Sequence, residues 1–467
     1  MEETKKSSKM AIVPIQKLFI TMGTPIVLSM MLQAAYNIID SAFLSNMKEN
    51  GEAVLTALSL AFPIQLLMVA IGVGTGVGVN GLLARSIGQG DKEKASKTVG
   101  NGLTLVLIYT VVFVLFGFLG VRPYIASQSG NGTVSAAVVD MAVDYLQICC
   151  WFSLGQCTFS VLEKMLQATG RSLYSTIAQI AGAATNILLD PILIYGWLGL
   201  PECGVKGAAY ATVIGQFVSG IVAFIFHMKF NHEIDKSPKY MKISGTTLKS
   251  IYAVGFPAII AQAVMTVMTY GMNIILGKIP EVGENAITVY GLYCKVQQLV
   301  TFAAFGLRDA ITPIVSFNHG MHSKQRVKDG IRYGLVYTAI LMIFGTILIE
   351  SIAIPLTKLF SLSDQSYGLC LSCMRIILLS FLFAGLNVAF QGVFQALERG
   401  MESLVVSLCR QIIFILPVAW ALVQLINGAS NASLVWWTFL IGEGATLVIS
   451  ILMFIPTYRK KVNAMEG

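Results

Sequence analysis

Apolar stretches of about twenty residues or more recur along the whole chain, and they set the strongest limit on its fold. Each is long enough to cross the roughly 30 Å hydrocarbon core of a bilayer as a helix. Only 12% of the 467 residues are charged and the mean hydropathy is +0.73, whereas soluble domains carry about 25% charged residues. The sequence therefore predicts an all-α integral membrane protein.

Twelve transmembrane helices are predicted, and the distribution of basic residues orients them. Of the 32 lysines and arginines, 24 fall in the terminal segments and the loops between even and odd spans, six fall on the opposite side, and two lie inside spans. Because positive residues are retained on the cytoplasmic side, both termini are predicted to be cytoplasmic. The predicted spans are 15–45, 54–84, 98–120, 136–162, 173–196, 207–229, 248–277, 286–316, 331–356, 368–396, 402–425 and 434–457.

The first six spans correspond to the last six at a nearly constant spacing. Gly23 matches Gly255 at an offset of 232 residues, and Gln167 matches Gln395 at an offset of 228. Six is an even number, so the two six-helix bundles have the same orientation and are predicted to relate by a pseudo-two-fold axis along the membrane normal. Such duplicated bundles are typical of transporters. The predicted domains are an N-terminal bundle (1–231), a cytoplasmic linker (232–244) and a C-terminal bundle (245–467).

Motifs for nucleotide hydrolysis or enzymatic catalysis are missing from the sequence. The glycine run Gly72–Gly78 lacks the Gly-Lys-Ser/Thr ending of a phosphate loop, and close helix packing explains it better. The eight cysteines scatter through apolar runs, and Cys370 and Cys373 have no redox or zinc-binding context. The net charge of +8 follows the topology. We therefore expect no enzyme, no nucleic-acid partner and no cofactor.

Two aspartates lie inside apolar spans, Asp40 in the first and Asp190 in the fifth. An aspartate at the bilayer centre costs about 2.5–3.5 kcal/mol on insertion scales, so one that persists is expected to face the protein interior or a water cavity. Asn186 precedes Asp190 by four residues and shares its helical face, and Pro191 frees a backbone carbonyl nearby. These oxygens suit a monovalent cation or a proton relay. The alternative is a structural cap at a helix kink.

Asp40 has polar neighbours at helical spacing. Gln33, Tyr36 and Asn37 form a polar stripe with it on an otherwise apolar helix. One interpretation is a functional carboxylate that takes up and releases a proton. The alternative is a static hydrogen bond between two helices.

Neither aspartate has a counterpart in the second half. The offsets place Met272 at the position of Asp40 and Val418 at that of Asp190. We therefore expect the two halves to differ in function, with binding of a cation or proton in the first half and accommodation of the substrate in the second. Methionine suits sites that accept varied shapes, although lipid-facing filling explains it equally well. The predicted substrate cavity contains Gln33, Tyr36, Met265, Met268, Met272, Lys295 and Gln297.

Other charged residues in or near the spans allow more than one interpretation. Arg308 and Asp309 are either part of the cavity or a structural pair near the cytoplasmic end. Glu163 and Lys164 are interpreted as a solvated or interfacial pair. The role of Glu443 in the twelfth span is left open.

At these residues the chain resembles the MATE (multidrug and toxic compound extrusion) transporters, above all a bacterial group similar to the staphylococcal multidrug exporter and the damage-inducible type. The strongest stretch runs from Gln167 to Gln216, with Thr-Gly-Arg, Asn-x-x-x-Asp-Pro and Gly-x-x-Gly-Ala-Ala-x-Ala-Thr elements. Gly-x-Pro in the first span and Tyr-Asn-x-x-Asp at Tyr36–Asp40 fit as well. The resemblance covers nearly the whole chain.

The resemblance implies export of organic, often cationic, compounds in exchange for H⁺ or Na⁺ as the coupling ion. Another branch of the family carries an acid in the seventh span, where this chain has only Gln262 and Asn273 as polar amides. A mechanism that needs that acid is therefore not expected here. By matching positions, the implied cation-coupling and Na⁺-binding residues are Asp40, Asn186, Asp190 and Thr212, with Asn37 nearby.

The predicted protein is a monomer in the plasma membrane, and its partners are small-molecule drugs or organic cations together with membrane lipids. Ion binding in the outward-open state is expected to neutralise Asp40 and reposition the first span, which expels the substrate. A rival function is the flipping of lipid-linked oligosaccharides, which the same superfamily performs. Lys295 and Arg308 favour that rival, whereas the acidic first half and the twelve spans oppose it.

Overall fold

Helices make up nearly all of the computed structural model, which describes residues 9–45, 51–128, 135–199, 201–359 and 364–465. No strand occurs within these ranges, so the predicted all-α fold is confirmed. The first half contains α1 (Thr24–Ser45), α2 (Gly51–Gln89), α3 (Lys92–Leu119), α4 (Val121–Gln128), α5 (Ala136–Trp151), α6 (Leu154–Ala168), α7 (Ser172–Tyr195) and α8 (Gly204–Phe230). The second half contains α9 (Gly245–Leu276), α10 (Gly283–Gly320), α11 (Lys324–Leu359), α12 (Asp364–Leu378), α13 (Phe381–Ala396), α14 (Gly400–Leu408), α15 (Ile415–Val423) and α16 (Trp437–Tyr458).

Shorter helical elements join or flank these helices. Three are π-helical turns, of which one leads into α1 and one connects α14 to α15. The short α-helical and 3₁₀ elements lie mainly in connections between longer helices. The short elements are Lys9–Ile12, Ile15–Leu18, Phe19–Gly23, Trp197–Gly199, Pro238–Met241, Cys409–Ile413, Ala429–Trp436 and Arg459–Asn463.

Ten helices of the described chain are long and apolar enough to cross a membrane, and two bent helix pairs bring the number to twelve when each pair counts as one span. The bends are 51° between α5 and α6 and 48° between α12 and α13. Hydropathy alone predicts one continuous helix at 136–162 and at 368–396, and the structure breaks both. At the second break Oγ of Ser380 donates a hydrogen bond of 2.7 Å to the carbonyl of Ile377, which competes with continuation of the helix.

The duplication predicted from a few residues extends to the helix boundaries. α2 and α10 begin 232 residues apart, as do α3 and α11. α5 and α12 begin 228 residues apart, as do α7 and α14, and α8 and α16 end with the same spacing. The offset changes between the third and fourth spans, where the second half is four residues shorter. The pseudo-two-fold axis stays a prediction.

Local sequence signals fix several helix ends. Asp91 precedes α3, and its Oδ1 accepts a hydrogen bond of 2.9 Å from the backbone N–H of Lys94, which satisfies an otherwise unbonded donor of the first turn. Gly196 follows α7 with φ of 71°, a left-handed conformation that glycine adopts without a Cβ penalty. Gly196 thus marks the end of α7, which carries the candidate site.

The helices group into two compact units that differ from the two halves of the sequence. One unit contains Leu32–Ile259, and the other contains Met10–Met31 together with Ile260–Gly467. The second unit thus includes the start of α1, the first long helix of the first half. The first unit includes the start of α9, the first long helix of the second half. The predicted domain boundaries follow the duplication of the sequence, and they stay a prediction.

Small residues allow these leading segments to pack closely. In the second unit, a Cβ placed on Gly306 of α10 would lie 2.6 Å from Cα of Val27. In the first unit, a Cβ placed on Gly74 of α2 would lie 2.7 Å from the backbone nitrogen of Ile259. Both contacts join corresponding positions, since 27 and 259, like 74 and 306, are 232 apart. The glycine run on the second span therefore serves close helix packing, as the sequence predicts.

The linker between the halves is held along α3 in the first unit. Nδ2 of Asn101 donates to the carbonyls of Tyr240 and Lys242, each at 3.3 Å, and its Oδ1 accepts from the backbone N–H of Ser244 at 2.8 Å. Oγ1 of Thr104 donates to the carbonyl of Met241 at 2.6 Å. One amide side chain thereby satisfies three backbone groups of an irregular segment.

Candidate functional site

Asn186 and Asp190 lie on one buried face of α7. Asn186 is 3% exposed and Asp190 is 0% exposed, and Nδ2 of Asn186 donates a hydrogen bond of 3.2 Å to Oδ1 of Asp190. The structure thus brings the two side chains together, as their spacing of four residues predicts. A carboxylate at this depth needs such partners, because burial without them is costly.

This face of α7 also offers other oxygen atoms. Oδ1 of Asn186 is buried and accepts no hydrogen bond from the described residues. Pro191 has no N–H to donate, so the carbonyl of Ile187 lacks its usual bond from the residue four positions later. Neutral and anionic oxygens suit a hard monovalent cation or a proton. The described residues hold no group of three or more His, Cys, Asp and Glu side chains that could bind a metal ion.

α8 approaches this face of α7 closely because glycine occupies the contact. A Cβ placed on Gly215 would lie 2.7 Å from the carbonyl oxygen of Gly182 and 3.0 Å from Cβ of Asn186. Thr212 precedes Gly215 by three residues, and is therefore on the same side of α8, where it is 8% exposed. The hydroxyl predicted to complete the cation site thus belongs to the helix face that packs beside Asn186.

α1 is attached to the same side of α7 within the first unit. Nε2 of Gln179 donates a hydrogen bond of 3.3 Å to Oε1 of Gln33. Gln179 precedes Asn186 by seven residues, or about two helical turns, so the three polar residues of α7 are aligned. Gln33, predicted to line the substrate cavity, is therefore engaged with the helix that carries the candidate cation site.

Four predicted site residues have only their backbone in the described part of the structure, in α1 or α10. Their side chains lie outside it. These residues are Tyr36, Asn37, Asp40 and Lys295.

The methionines of α9 pack in the second unit. Met272 is 0% exposed, and Met265 and Met268 are partly buried against the same apolar cluster, which includes Tyr290 and Phe439. Burial in a protein core is neither of the two roles that the sequence suggested for methionine here. A part for these residues and for the half-buried Gln297 in a substrate cavity stays a prediction.

Glu163 and Lys164 were expected to be solvated or interfacial, and that interpretation is wrong. Lys164 is 1% exposed and Glu163 is 5% exposed. Gln167 connects them, since its Oε1 accepts from Nζ of Lys164 at 3.3 Å and its Nε2 donates to Glu163 at 3.0 Å. The lysine stem fits against α2 where Gly76 leaves room, because a Cβ there would lie 2.8 Å from Cγ of Lys164.

Arg308 and Asp309 form the structural pair that was one of the two interpretations. Nε and Nη2 of Arg308 donate to Oδ1 of Asp309 at 2.9 and 2.8 Å, and Asp309 is 3% exposed. A Cβ placed on Gly392 of α13 would lie 2.9 Å from Cγ of Arg308. The guanidinium is thus held by its own neighbour and by a glycine on the facing helix.

Lys164 and Arg308 occupy corresponding places on exchanged helices. Position 308 corresponds to Gly76 at the offset of 232, and position 392 corresponds to Lys164 at the offset of 228. In the first unit the glycine is on α2 and the cation on α6, and in the second unit the cation is on α10 and the glycine on α13. At this one helix contact each unit therefore packs a cationic side chain against a glycine of the facing helix, and single-residue patterns do not reveal this complementarity.

Two relatives resemble the chain along almost its full length. The Multidrug export protein MepA of Staphylococcus aureus (strain bovine RF122 / ET3-1) is 24% identical over 458 residues, which cover 97% of this chain and 96% of the relative. The Multidrug export protein MepA of Staphylococcus haemolyticus (strain JCSC1435) is 25% identical over 435 residues, with coverage of 92% and 91%.

Solved structures share the fold. An outward-facing multidrug resistance MATE family transporter of the MOP superfamily matches with a TM-score of 0.88 over 98% of both chains at 23% identity. A MOP superfamily transporter from Pyrococcus furiosus Vc1 (DSM3638) matches with a TM-score of 0.84 at 22% identity and the same coverage. At these identities the likeness establishes the fold alone.

The sequence model of one family, MatE, accounts for both halves of the duplication. It matches residues 25–192 and again residues 257–421. The first match ends just after Asp190 and Pro191, and so includes the buried face of α7. Together the two matches cover well over half of the chain. This protein belongs to the MATE family of membrane transporters.

Proposed function

We propose that this protein exports drug-like organic compounds, cationic ones among them, in exchange for H⁺ or Na⁺. The relatives named as multidrug export proteins support the export of small molecules. The observation that carries the ion coupling is the buried Asn186–Asp190 pair with its unbonded amide oxygen. The other buried carboxylate discussed for the first unit, Glu163, differs because its neighbour Gln167 already accepts a hydrogen bond from Lys164.

Asp40 completes the proposed site through the register of two helices. Gln33 and Gln179 are hydrogen bonded, and Asp40 and Asn186 each follow by seven residues. If α1 and α7 run in the same direction, as two odd-numbered spans do, positions 40 and 186 lie at the same depth of the membrane. Thr212 on α8 supplies a further oxygen on the helix that packs against Asn186.

The driving force comes from the ion's different affinity for two states of the protein. An ion that binds one state more tightly shifts the population toward it, and the substrate is released from that state. Neutralising a buried carboxylate removes the cost of desolvating its charge. The helix that carries it can then take up a position that the charged form disfavours.

In the proposed arrangement both termini lie in the cytoplasm, and the protein is a monomer surrounded by lipids. The basic residues support this orientation, since 24 lie on the proposed cytoplasmic side and six on the opposite side. Side chains at helical spacing on α3, namely Val111, Leu115 and Phe118, are 57%, 54% and 66% exposed and form an apolar face suited to lipid.

The test is efflux of a fluorescent organic cation from proteoliposomes with a pH gradient and a Na⁺ gradient imposed separately. We expect one gradient to drive efflux, and Asp40→Asn and Asp190→Asn to abolish that dependence. Asp144→Asn is the matched control, because its side chain is 39% exposed and pairs with Lys206 at 3.0 Å. Drug-driven ion exchange that survives Asp40→Asn and Asp190→Asn would overturn the assignment.

The flippase alternative loses one of its two supports. Arg308 was one of two cations that suggested a path for a pyrophosphate group. Its guanidinium is engaged with Asp309 and packed over the Phe305 ring at 4.7 Å. A cation held in this way is not displayed to an anionic substrate.

A further inference from the structure

A further intramembrane carboxylate, Glu443, is buried in the second unit with a cation of its own. Nε and Nη2 of Arg410 donate to Oε1 of Glu443 at 3.1 and 2.9 Å. Nδ2 of Asn387 donates to Oε2 of Glu443 at 2.9 Å and to its backbone carbonyl at 3.0 Å. Oγ of Ser450 in turn donates to Oδ1 of Asn387 at 2.9 Å. Both carboxylate oxygens of Glu443 are therefore occupied by donors of the protein.

All members of this network are withdrawn from solvent. Arg410 is 7% exposed, Glu443 is 5% exposed, and Asn387 and Ser450 are 0% exposed. Two charges in such surroundings are expensive unless they neutralise each other and their hydrogen bonds are satisfied. Removing one partner leaves an uncompensated charge, whereas removing both leaves neutral groups. The pair is consequently sensitive to single changes and tolerant of a matched double change.

The two corresponding positions in the first unit are both glycines. At the offset of 228, Arg410 corresponds to Gly182 and Glu443 to Gly215. There α7 and α8 touch through backbone, since a Cβ on Gly182 would collide with the carbonyl of Gly215. At this helix crossing the first unit therefore has a contact between two glycines, whereas the second unit has an ion pair.

The backbone of the second unit is adjusted at this crossing. α7 runs without interruption from Ser172 to Tyr195, but the corresponding segment divides into α14, the π-helical turn Cys409–Ile413 and α15. Arg410 lies in this turn. A π-helical turn inserts an extra residue into a helix and is common at functional positions. The turn and the charge occur together in the second unit and are both absent from the corresponding described residues of α7.

We propose that Arg410 is a built-in counter-ion for Glu443, so that the second unit holds a fixed ion pair and the exchange of coupling ions is confined to the first unit. This inference rests on the proposed antiport function. In this arrangement Glu443 has no vacancy for Na⁺ or a proton during the cycle, because Arg410 and Asn387 occupy both of its oxygens. Arg410 is a positioning residue that determines how many ions are exchanged for each substrate.

The test compares Arg410→Met, Glu443→Gln and the double variant in the full-length protein. We expect Glu443→Gln to lower the melting temperature, because it leaves the Arg410 charge buried without its partner. The double variant should recover most of that loss and keep gradient-driven efflux within about twofold of the wild-type rate, which is about 0.4 kcal/mol. Arg410→Met, if it folds, should bind one more proton or Na⁺ per molecule than the wild type in calorimetric titration.

A matched ion pair in the same unit serves as the control. Nε of Arg375 and Oε1 of Glu350 are 3.1 Å apart, and the side chains are 52% and 46% exposed. Arg375→Met and Glu350→Gln should have small effects on melting temperature, and these should add in the double variant.

Two results would overturn the inference. One is a stable Arg410→Met/Glu443→Gln variant that has lost ion-driven efflux, which would make Glu443 an exchanging site. The other is additive melting shifts for the pair. A wild-type protein without any ion-driven efflux would refute the proposed function instead, and the melting cycle, which needs no transport, would still decide whether Arg410 neutralises Glu443.

Discussion

Gly215→Ala tests whether the glycine contact between α7 and α8 positions the candidate cation site. The added methyl group would lie 2.7 Å from the carbonyl oxygen of Gly182 and 3.0 Å from Cβ of Asn186. Ordinary carbon–oxygen contacts begin near 3.3 Å, and carbon–carbon contacts are favourable at about 3.5–4.0 Å. The two helices must therefore separate by roughly 0.6 Å, or Asn186 must move away from Asp190.

The cost of this separation follows from core substitutions that add a methyl group. Overpacking costs about 1–3 kcal/mol, whereas alanine in place of glycine inside a helix gains up to about 1 kcal/mol. Gly444→Ala isolates that gain, because a Cβ on Gly444 of α16 would meet no described atom within 4 Å. We expect Gly215→Ala to be less stable than Gly444→Ala by about 1–3 kcal/mol.

The assay is thermal unfolding of the purified proteins in detergent, followed by tryptophan fluorescence, together with the gradient-driven efflux measurement. Gly215→Ala should melt below the wild type and lose ion dependence, because the 3.2 Å bond between Asn186 and Asp190 is disturbed. Gly444→Ala should melt at or above the wild type and keep its ion dependence. Equal melting temperatures and equal ion dependence for the two variants would refute the packing argument.

Two further predictions concern the linker between the halves. Asn101→Leu should expose it to trypsin, because the side chain that bonds Tyr240 and Ser244 is lost; unchanged cleavage rates relative to the wild type would contradict this role. The backbone N–H of Ser237 bonds Asp235 and holds the pKa of that carboxyl below its ordinary value of 3.8. Its stabilisation is therefore fully present above pH 3.8 and is lost as the pH falls through the lowered value, so pepsin cleavage of the linker should rise there in the wild type and lack that rise in Asp235→Asn.

Hydropathy and spacing predict much of this molecule because they depend on local chemistry. The length of apolar runs indicates the spans, and the interval of four residues places Asn186 beside Asp190. The breaks inside the fourth and tenth spans are invisible to hydropathy, since apolar residues continue through both. At the break in the tenth span Ser380 bonds the preceding turn, and this effect depends on the backbone that surrounds it.

Local sequence patterns do not predict which charged residues are buried, and the reason is a different one. Lys164 sits near a span end and has the sequence appearance of an interfacial residue. Its burial depends on the missing side chain of Gly76, which lies on another helix 88 residues earlier. Arg410 and Glu443 are likewise 33 residues apart. Such complementarity is a property of helix pairs, so one sequence without its fold does not disclose it.

The assignment of Met10–Met31 to the second compact unit has a consequence for the order of assembly. Chains fold largely from the N-terminus during synthesis. Val27 nevertheless contacts Gly306, and a guanidinium nitrogen of Arg326 binds the carbonyl oxygens of Met10 and Val13 at 2.7 and 2.8 Å. Residues 10–27 must therefore wait until synthesis has reached residues 306–326 before they make their final contacts. Removing Met10–Val13 would therefore damage a unit most of which is made much later.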